Sequence, residues 1–245
     1  MKNQIAIYIG FMIMSIQALF AQITSGKILY NINMEDFYED GINDGKISPE
    51  LGRMFRMTAD AANNIQLELL FNHEQSIFQH QKGLSISDYE ELDDLVKMLT
   101  SDGTYYTDIK DGTQLLQTFY EGRKYNVKSE ITKQDWTLTK EQKQIGKFVC
   151  YKAILDKSVT GLNENTKAWY APEIPVSFGP IDYVGNLPGL ILELKLPIAT
   201  YTTSEIRLNP KKDIKIDWPN DIDTMTEEEY KKEGDKVKAR LDEGW

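Results

Sequence analysis

The two histidines are the first residues to consider for chemistry in this sequence. His73 and His80 lie on the same stretch of chain, with Glu74 beside the first, and imidazole and carboxylate groups are common metal ligands. The opposite strands of a hairpin could bring these side chains together. Their spacing matches no familiar zinc motif, and two surface histidines are the commoner arrangement. We therefore predict no bound metal and no cofactor.

An acidic cluster could in principle bind calcium. A calcium-binding loop needs a glycine turn and regularly spaced oxygen ligands, and this cluster offers neither. Ser87 and Glu90 instead fit a capping box at the start of a helix, where carboxylates also stabilise the helix dipole. We interpret the cluster as the solvated first turns of that helix. Its members are Glu90, Glu91, Asp93 and Asp94.

Cys150 is the single cysteine, so the chain has no internal disulfide. A nucleophilic cysteine needs a nearby histidine or cation that lowers its thiol pKa, and no histidine is close in sequence. Cys150 lies between Val149 and Tyr151 in an apolar, strand-like segment, so we predict a buried and unreactive thiol. No zinc-protease, serine-hydrolase, phosphate-loop or paired-cysteine motif occurs, and scattered carboxylates alone do not indicate an enzyme.

Aromatic side chains remain as candidates for a binding site. We expect Trp136, Trp169 and Tyr170 to line a pocket for an apolar ligand. They belong to a larger aromatic set that could equally form a core, since aromatic residues are natural strand formers. The other members are Tyr151, Phe178 and Tyr183.

Alternation of apolar and polar residues along most of the chain predicts a mainly β protein of the α+β class. Strands are predicted at residues 27–34, 65–72, 76–80, 104–109, 114–120, 124–128, 136–139, 148–155, 166–170, 190–196 and 200–208. The strand at 148–155 is apolar on both faces, which is typical of a central strand. Helices are predicted at 48–60, at 87–99 and from Thr226 to about Leu241, where Thr226 and Glu229 form a capping box.

A sheet with so many strands must curl or close. We therefore expect a large, curved, half-barrel-like antiparallel sheet, with two short covering helices and a C-terminal surface helix. Residues 22–210 would form this single domain, and residues 211–245 a polar tail that contains the last helix.

The segment 169–196 carries the strongest local pattern. Four leucines at alternate positions are expected on one face of a strand, and Ile191 on the other. The four are Leu190, Leu192, Leu194 and Leu196. The residues 187–190 predict a type II turn, in which Pro188 fixes φ at the second position and Gly189 takes positive φ at the third.

The hexapeptide Asn186-Leu187-Pro188-Gly189-Leu190-Ile191 resembles the signature of the GLPGLI family. These are exported proteins of Bacteroidetes whose function is not established. Further residues resemble the family's pattern in the same order and at similar spacing. They are Trp136, Lys143, Ile145, Cys150, Lys152-Ala153, Ala168-Trp169-Tyr170, Glu173-Ile174-Pro175 and Gly179-Pro180, and the block that resembles the family runs from about Trp136 to Leu194. The first glycine of the signature is Asn186 here, and asparagine also tolerates a left-handed backbone, so we infer a structural role for that position.

The first 21 residues have the features of a secretory signal peptide. Lys2 supplies the positive charge, Ile5–Phe20 the apolar run, and Ala21 the cleavage point. The run is short for a bilayer core, which takes about 20 apolar residues. We therefore expect a periplasmic or secreted protein with no integral membrane segment after cleavage.

The chain carries a net charge of −10, which argues against nucleic-acid binding. We expect a non-enzymatic binding or carrier protein of the cell envelope, with a hydrophobic small molecule or acyl chain as its ligand. The alternative is an accessory protein that docks on an outer-membrane protein or transporter, and a hydrolase has the least support. An apolar cavity favours the first, an exposed apolar patch over a closed core the second, and converging carboxylates the third.

Overall fold

The computed structural model describes residues 23–34, 48–81, 95–97, 99–101, 103–120, 123–155, 166–219 and 223–233. Its helix α1 is Pro49–Ala62, and residues 95–97, 99–100 and 227–233 are also helical. The strands are β1 (Gly26–Asn33), β2 (Gln66–Phe71), β3 (Gln75–His80), β4 (Thr104–Asp108), β5 (Thr113–Tyr120), β6 (Arg123–Glu130), β7 (Trp136–Ile145), β8 (Phe148–Leu155), β9 (Thr166–Ala171), β10 (Leu190–Lys195), β11 (Thr200–Leu208) and β12 (Thr224–Thr226). The predicted signal peptide, the acidic cluster and the end of the last predicted helix lie outside the described residues.

The twelve strands form one open sheet with β12 and β7 at its edges. Their order is β12-β6-β5-β4-β3-β2-β1-β11-β10-β9-β8-β7. Neighbours pair antiparallel, except that β12 pairs parallel with β6. The predicted mainly antiparallel β fold is therefore confirmed, and among the described helices none is long and apolar enough to cross a membrane.

The sheet is curved at its β7 end. Lys143 of β7 and Glu193 of β10 form an ion pair at 2.5 Å, although β8 and β9 lie between their strands. In a flat sheet, three strand spacings would separate the backbones of the two residues by about 14 Å. The turn between β7 and β8 also reaches β11, since a Cβ at Gly146 would lie 3.7 Å from Ile206 Cδ1.

Strand β8 is paired on both sides, by β7 and β9, but it lies second from the edge of the sheet rather than in its middle. Its apolar residues are buried on different faces at different points along the strand. Phe148 and Cys150 are buried on one face near the start, and Ala153 and Leu155 on the other near the end. Curvature of the sheet, rather than a central position, explains why this strand is apolar on both sides.

The inner face of the sheet carries most of the core. Ile28 and Tyr30 of β1 lie on this face beside Leu69 and Leu67 of β2. The helix α1 covers part of it and begins as predicted, with Ser48 Oγ accepting from Leu51 N–H at 3.3 Å. The described part of this face is filled by large side chains that are fully buried, among them Tyr30, Tyr201, Phe71, Phe78 and Phe178.

Strand β10 departs from the predicted strict alternation. Ile191 pairs with Tyr170 and Glu193 with Trp169, so Leu192 is an extra residue that forms a β-bulge. The bulge moves the side chains that precede it to the opposite faces, and Ile191 is therefore 3% exposed rather than solvated. A bulge depends on the partner strand, and periodicity in one strand does not reveal it.

Strand β7 also departs from its predicted length, since it continues to Ile145 instead of ending near Thr139. Its pairing with β8 shifts between Leu138 and Gln142, where two extra residues are accommodated. The polar residues of its second half give no apolar alternation, and the hairpin with β8 keeps them in the sheet.

The last described residues return to the sheet. Strand β12 was not predicted and pairs with β6 over three residues. The capping box predicted at the following helix is confirmed: Thr226 N–H donates to Glu229 Oε2 at 2.7 Å and Glu229 N–H donates to Thr226 Oγ1 at 3.2 Å.

Candidate binding site

The three aromatic residues predicted to line a pocket do not converge. Trp169 and Tyr170 are neighbours in β9, so their side chains point to opposite faces of the sheet. Trp136 packs edge-on against Tyr183 at 6.1 Å between ring centroids. The side chains around Trp136 and the hexapeptide leave no room for a water molecule. A single pocket lined by Trp136, Trp169 and Tyr170 is therefore not formed.

The indole of Trp169 is covered by lysine side chains. Lys143 Nζ lies 4.5 Å and Lys152 Nζ 5.9 Å from its ring centroid. Each ammonium also meets a carboxylate, Lys143 that of Glu193 at 2.5 Å and Lys152 that of Glu141 at 3.1 Å. These cation–π and ionic contacts tie four strands together, so Trp169 stabilises the curved end of the sheet rather than offering a free aromatic platform.

Tyr170 borders a shallow groove on the other face. Its ring lies 6.2 Å from that of Tyr151, and burial together with the Tyr151 hydroxyl raises the pKa of Tyr170. The groove measures about 570 Å³ and is also bordered by Gln142, Val149, Pro172 and Glu173. Of the three predicted residues, Tyr170 borders this groove.

The hexapeptide has a structural role, but not through a type II turn. Gly189 N–H donates to Leu187 O at 2.9 Å, and Leu190 N–H donates to Ile174 O instead of closing the predicted turn. The turn is a three-residue one centred on Pro188. Gly189 has φ 157°, and a Cβ there would lie 2.4 Å from Ala171 O. Close approach of two backbones therefore requires glycine at this position.

The asparagine of the hexapeptide anchors its loop through its side chain. Asn186 Oδ1 accepts from Gln134 N–H at 3.1 Å, and Nδ2 donates to Val184 O at 2.7 Å and to Thr132 O at 3.2 Å. The left-handed backbone is taken by Gly185, with φ 78°, and not by Asn186. The expectation that Asn186 replaces glycine through its backbone is therefore wrong, because its side-chain amide makes the hydrogen bonds that anchor the loop.

A cleft lies on the outer face of the sheet, which faces away from α1. A cross-strand row of apolar side chains runs over this face, which we call the apolar row. Each member is the register partner of the next, and the row consists of Leu70, Ile77, Tyr106 and Leu115. At the β2 end the row continues into Lys27 and Arg207, and at the β5 end into Lys128. The row is therefore apolar in the middle and cationic at both ends.

Residues 210–219 lie between β11 and β12 in the sequence and cross this face of the sheet. We call them the strap. The Trp218 ring packs on Tyr106 of the apolar row at 5.9 Å, and Asn72 Nδ2 donates to Ile214 O at 3.5 Å. Burial raises the pKa of the Tyr106 hydroxyl. These contacts hold the strap along the apolar row.

Between the strap and the sheet lies a cleft of about 860 Å³, which we call the strap cleft. Its apolar residues are Leu70, Pro210 and Ile214, and its charged residues are Lys27, Arg207, Lys212, Asp213, Lys215 and Asp217. Lys27 Nζ pairs with Glu68 at 2.6 Å, and Arg207 contacts Glu205. A signal for the strap was present in the sequence, because Ile214, Ile216 and Trp218 alternate with Lys215 and Asp217.

The histidines do not form a metal site. His73 lies in the turn between β2 and β3, near Glu74 at 3.5 Å, whereas His80 pairs with Leu67 at the other end of β3. β3 alone is about 17 Å long. His80 contacts Ser101 O at 3.2 Å, and burial lowers its pKa. Within the described residues, no group of three potential ligands could hold a metal ion.

Cys150 is buried, as predicted. Burial raises the pKa of its thiol to about 11, against the opposing effect of the Lys143 charge. The thiol is therefore protonated at neutral pH, which is the opposite of what a nucleophile requires.

Comparison with known proteins gives a partial match to a family of unknown function and a similar fold. Residues 159–193 match the model of a family described as a protein of unknown function (Porph_ging). The fold is similar to that of PNGF-II in its P21 crystal form, with a TM-score of 0.54 and 16% identity, over 85% of this chain and 32% of that one. The C2 form gives the same score and coverage at 14% identity. The chain thus spans about a third of PNGF-II, and the likeness concerns the fold alone. Among curated proteins, none is similar in sequence.

Proposed function

We propose that this chain is an exported, non-enzymatic binding protein of the GLPGLI family that holds a hydrophobic ligand in the strap cleft. The signal-peptide features of residues 1–21 support export to the periplasm or beyond. The resemblance over residues 136–194 supports the family, and the matched family model covers part of the same region.

The strap cleft is the observation that carries the binding function. Its volume of about 860 Å³ lies within the range of small-molecule sites, and apolar side chains border it on both sides, Leu70 on the sheet and Ile214 on the strap. The inner face, where a pocket was expected between the sheet and its covering helices, is filled by side chains in its described part. This observation supports a ligand site on the outer face of the sheet.

A titration with a fluorescent fatty acid tests this proposal. The purified protein should increase the probe's emission at saturable concentrations, and Leu70→Glu should abolish the increase by placing a charge in the cleft. Leu138→Glu is the matched control, because Leu138 is 53% exposed on β7 and does not border the cleft. A flat titration of the unaltered protein, or equal binding by the Leu70→Glu variant, would reject the cleft as the ligand site.

Docking on an outer-membrane protein or transporter is the second candidate, and the surface of α1 favours it. The helix buries small residues such as Ala59 and Ala62, while Leu51, Met54 and Met57 remain 40%, 43% and 44% exposed. Exposed methionines are common on protein-binding surfaces. A photo-crosslinker at Met57 should then capture one outer-membrane protein in intact cells, and the same group at Lys133 should not.

A further inference from the structure

We propose that the ligand of the strap cleft is an acidic amphiphile, whose carboxylate or phosphate head binds Lys212 and Lys215. This inference rests on the proposed binding function and names the chemical class of the ligand. It follows from the charge of the cleft, from which of its cations already form ion pairs, and from the apolar row beside them.

The residues that border the cleft carry more positive than negative charges, although the molecule is acidic. Four cationic and two acidic residues border it, in a chain of net charge −10. Cations concentrated at a cleft in an acidic protein attract an anionic group to that place. A neutral apolar ligand would gain nothing from them.

Two of the four cations are already engaged. Lys27 pairs with Glu68, whose other carboxylate oxygen accepts from Gln79 Nε2 at 2.7 Å, and Arg207 contacts Glu205. Lys212 and Lys215 form no ion pair with any other residue that the structure describes. Their ammonium groups are compact, strongly hydrated charges that bind carboxylates and phosphates as point charges.

The head group and the tail of such a ligand fit different parts of the same surface. The lysines stand on the strap, while Leu70 begins the apolar row that continues through Ile77 to Tyr106. An acyl chain that starts at the lysines would lie over Leu70, beneath Ile214. The strap contributes both the charge and part of the apolar cover.

Competition among four amphiphiles of one chain length tests the inference: dodecanoate, dodecyl phosphate, methyl dodecanoate and dodecylamine, each displacing the fluorescent fatty acid. We expect at least one of the two anions to compete about tenfold better than the ester and the amine. The comparison of dodecanoate with dodecyl phosphate distinguishes a free fatty acid from a phosphate-bearing lipid head. Added salt should reduce the advantage of the anions and leave the ester unchanged.

A double variant, Lys212→Gln with Lys215→Gln, should remove the preference for anions while the ester still competes. The matched control is Lys133→Gln with Lys140→Gln, two exposed lysines that do not border the cleft. Thermal unfolding of both variants confirms that they fold. If the ester competes as well as the anions, the inference fails and the binding function stands. If no amphiphile displaces the probe and the probe itself does not bind, the proposed function fails with it. If the double variant keeps the anion preference, Lys212 and Lys215 do not bind the head.

Discussion

Gly189 is the residue on which the hexapeptide depends most directly. A Cβ at this position would lie 2.4 Å from Ala171 O and 2.6 Å from Ala171 C, both backbone atoms of the adjacent strand. Gly189→Ala should therefore destabilise the fold by about 3 kcal/mol, since β9 or β10 must shift. Denaturant unfolding measures the change.

Gly112 provides the matched control for that substitution. It also has positive φ, at 66°, but no atom lies within 4 Å of the place where its Cβ would be. Gly112→Ala should cost only the backbone strain, about 1 kcal/mol. Equal losses in the two variants would show that conformation, and not the close approach to Ala171, is what requires glycine at 189.

The raised pKa of Cys150 predicts how the free energy of unfolding depends on pH in the alkaline range. Its pKa is raised from 9.0 to about 11 by burial, so between these values the folded protein keeps a proton that the unfolded chain releases. Stability should therefore fall as pH rises from 9 to 11, by at most about 3 kcal/mol. Unfolding free energies across this range, compared between the unaltered protein and Cys150→Ala, isolate the contribution from that of the buried tyrosines.

The burial of Cys150 also predicts how fast its thiol reacts. Native Cys150 should react slowly with a thiol reagent at neutral pH and rapidly once denaturant is added. Fast native labelling, or identical pH profiles for the unaltered and alanine proteins, would mean that the thiol is not shielded as the structure places it.

At the scale of the elements, the strap should be the least stable part of the described outer face. A side-chain hydrogen bond from Asn72 and the ring of Trp218 hold it, whereas β1 is paired along both edges. Amide hydrogen exchange should be much faster in 210–219 than in β1, and Trp218→Ala should accelerate it further without affecting β1. Protection of the strap equal to that of β1 would contradict this view and argue against a cleft that opens to its ligand.

Elements whose signals are local were predicted well, and elements that depend on distant partners were not. Strand β2 and the cap of α1 follow from alternation and from Ser48-Pro49 alone. The bulge at Leu192 follows from how β10 meets β9, and the three-residue strand β12 exists because β6 offers an edge. Neither condition can be read from the residues that form the element.

The difference between local signals and distant partners also explains which residues of the candidate site could be predicted. Trp169 and Tyr170 are prominent in the sequence because they are adjacent aromatics, and that adjacency places them on opposite faces of the sheet. The strap cleft unites Lys27 with Lys212 and Leu70, residues far apart in the chain. The register of β1 with β2 places Lys27 beside Leu70, and the contacts of the strap bring Lys212 to the same surface.

For the whole molecule, an open sheet raises the question of what keeps its long edge from pairing with another molecule. The edge strand β7 is interrupted by a register shift between Leu138 and Gln142, and Lys140 lies exposed within the interruption. Bulges and lysines are common protections of sheet edges. Lys140→Val should therefore promote self-association, detected by light scattering during size-exclusion chromatography, whereas Lys133→Val in the preceding loop should not.

The central position of β1 has a consequence for when the molecule can fold. β1 is the first described strand, and it pairs with β11, so that Gly26 faces Leu208 across most of the length of the chain. Such distant pairings form slowly, because a long loop must close before they are stabilised. A ribosome would have to release nearly the whole chain before the middle of the sheet could assemble. The middle of the sheet therefore stays unpaired during synthesis, and a secretion channel would receive an incompletely folded chain if the protein is exported as proposed.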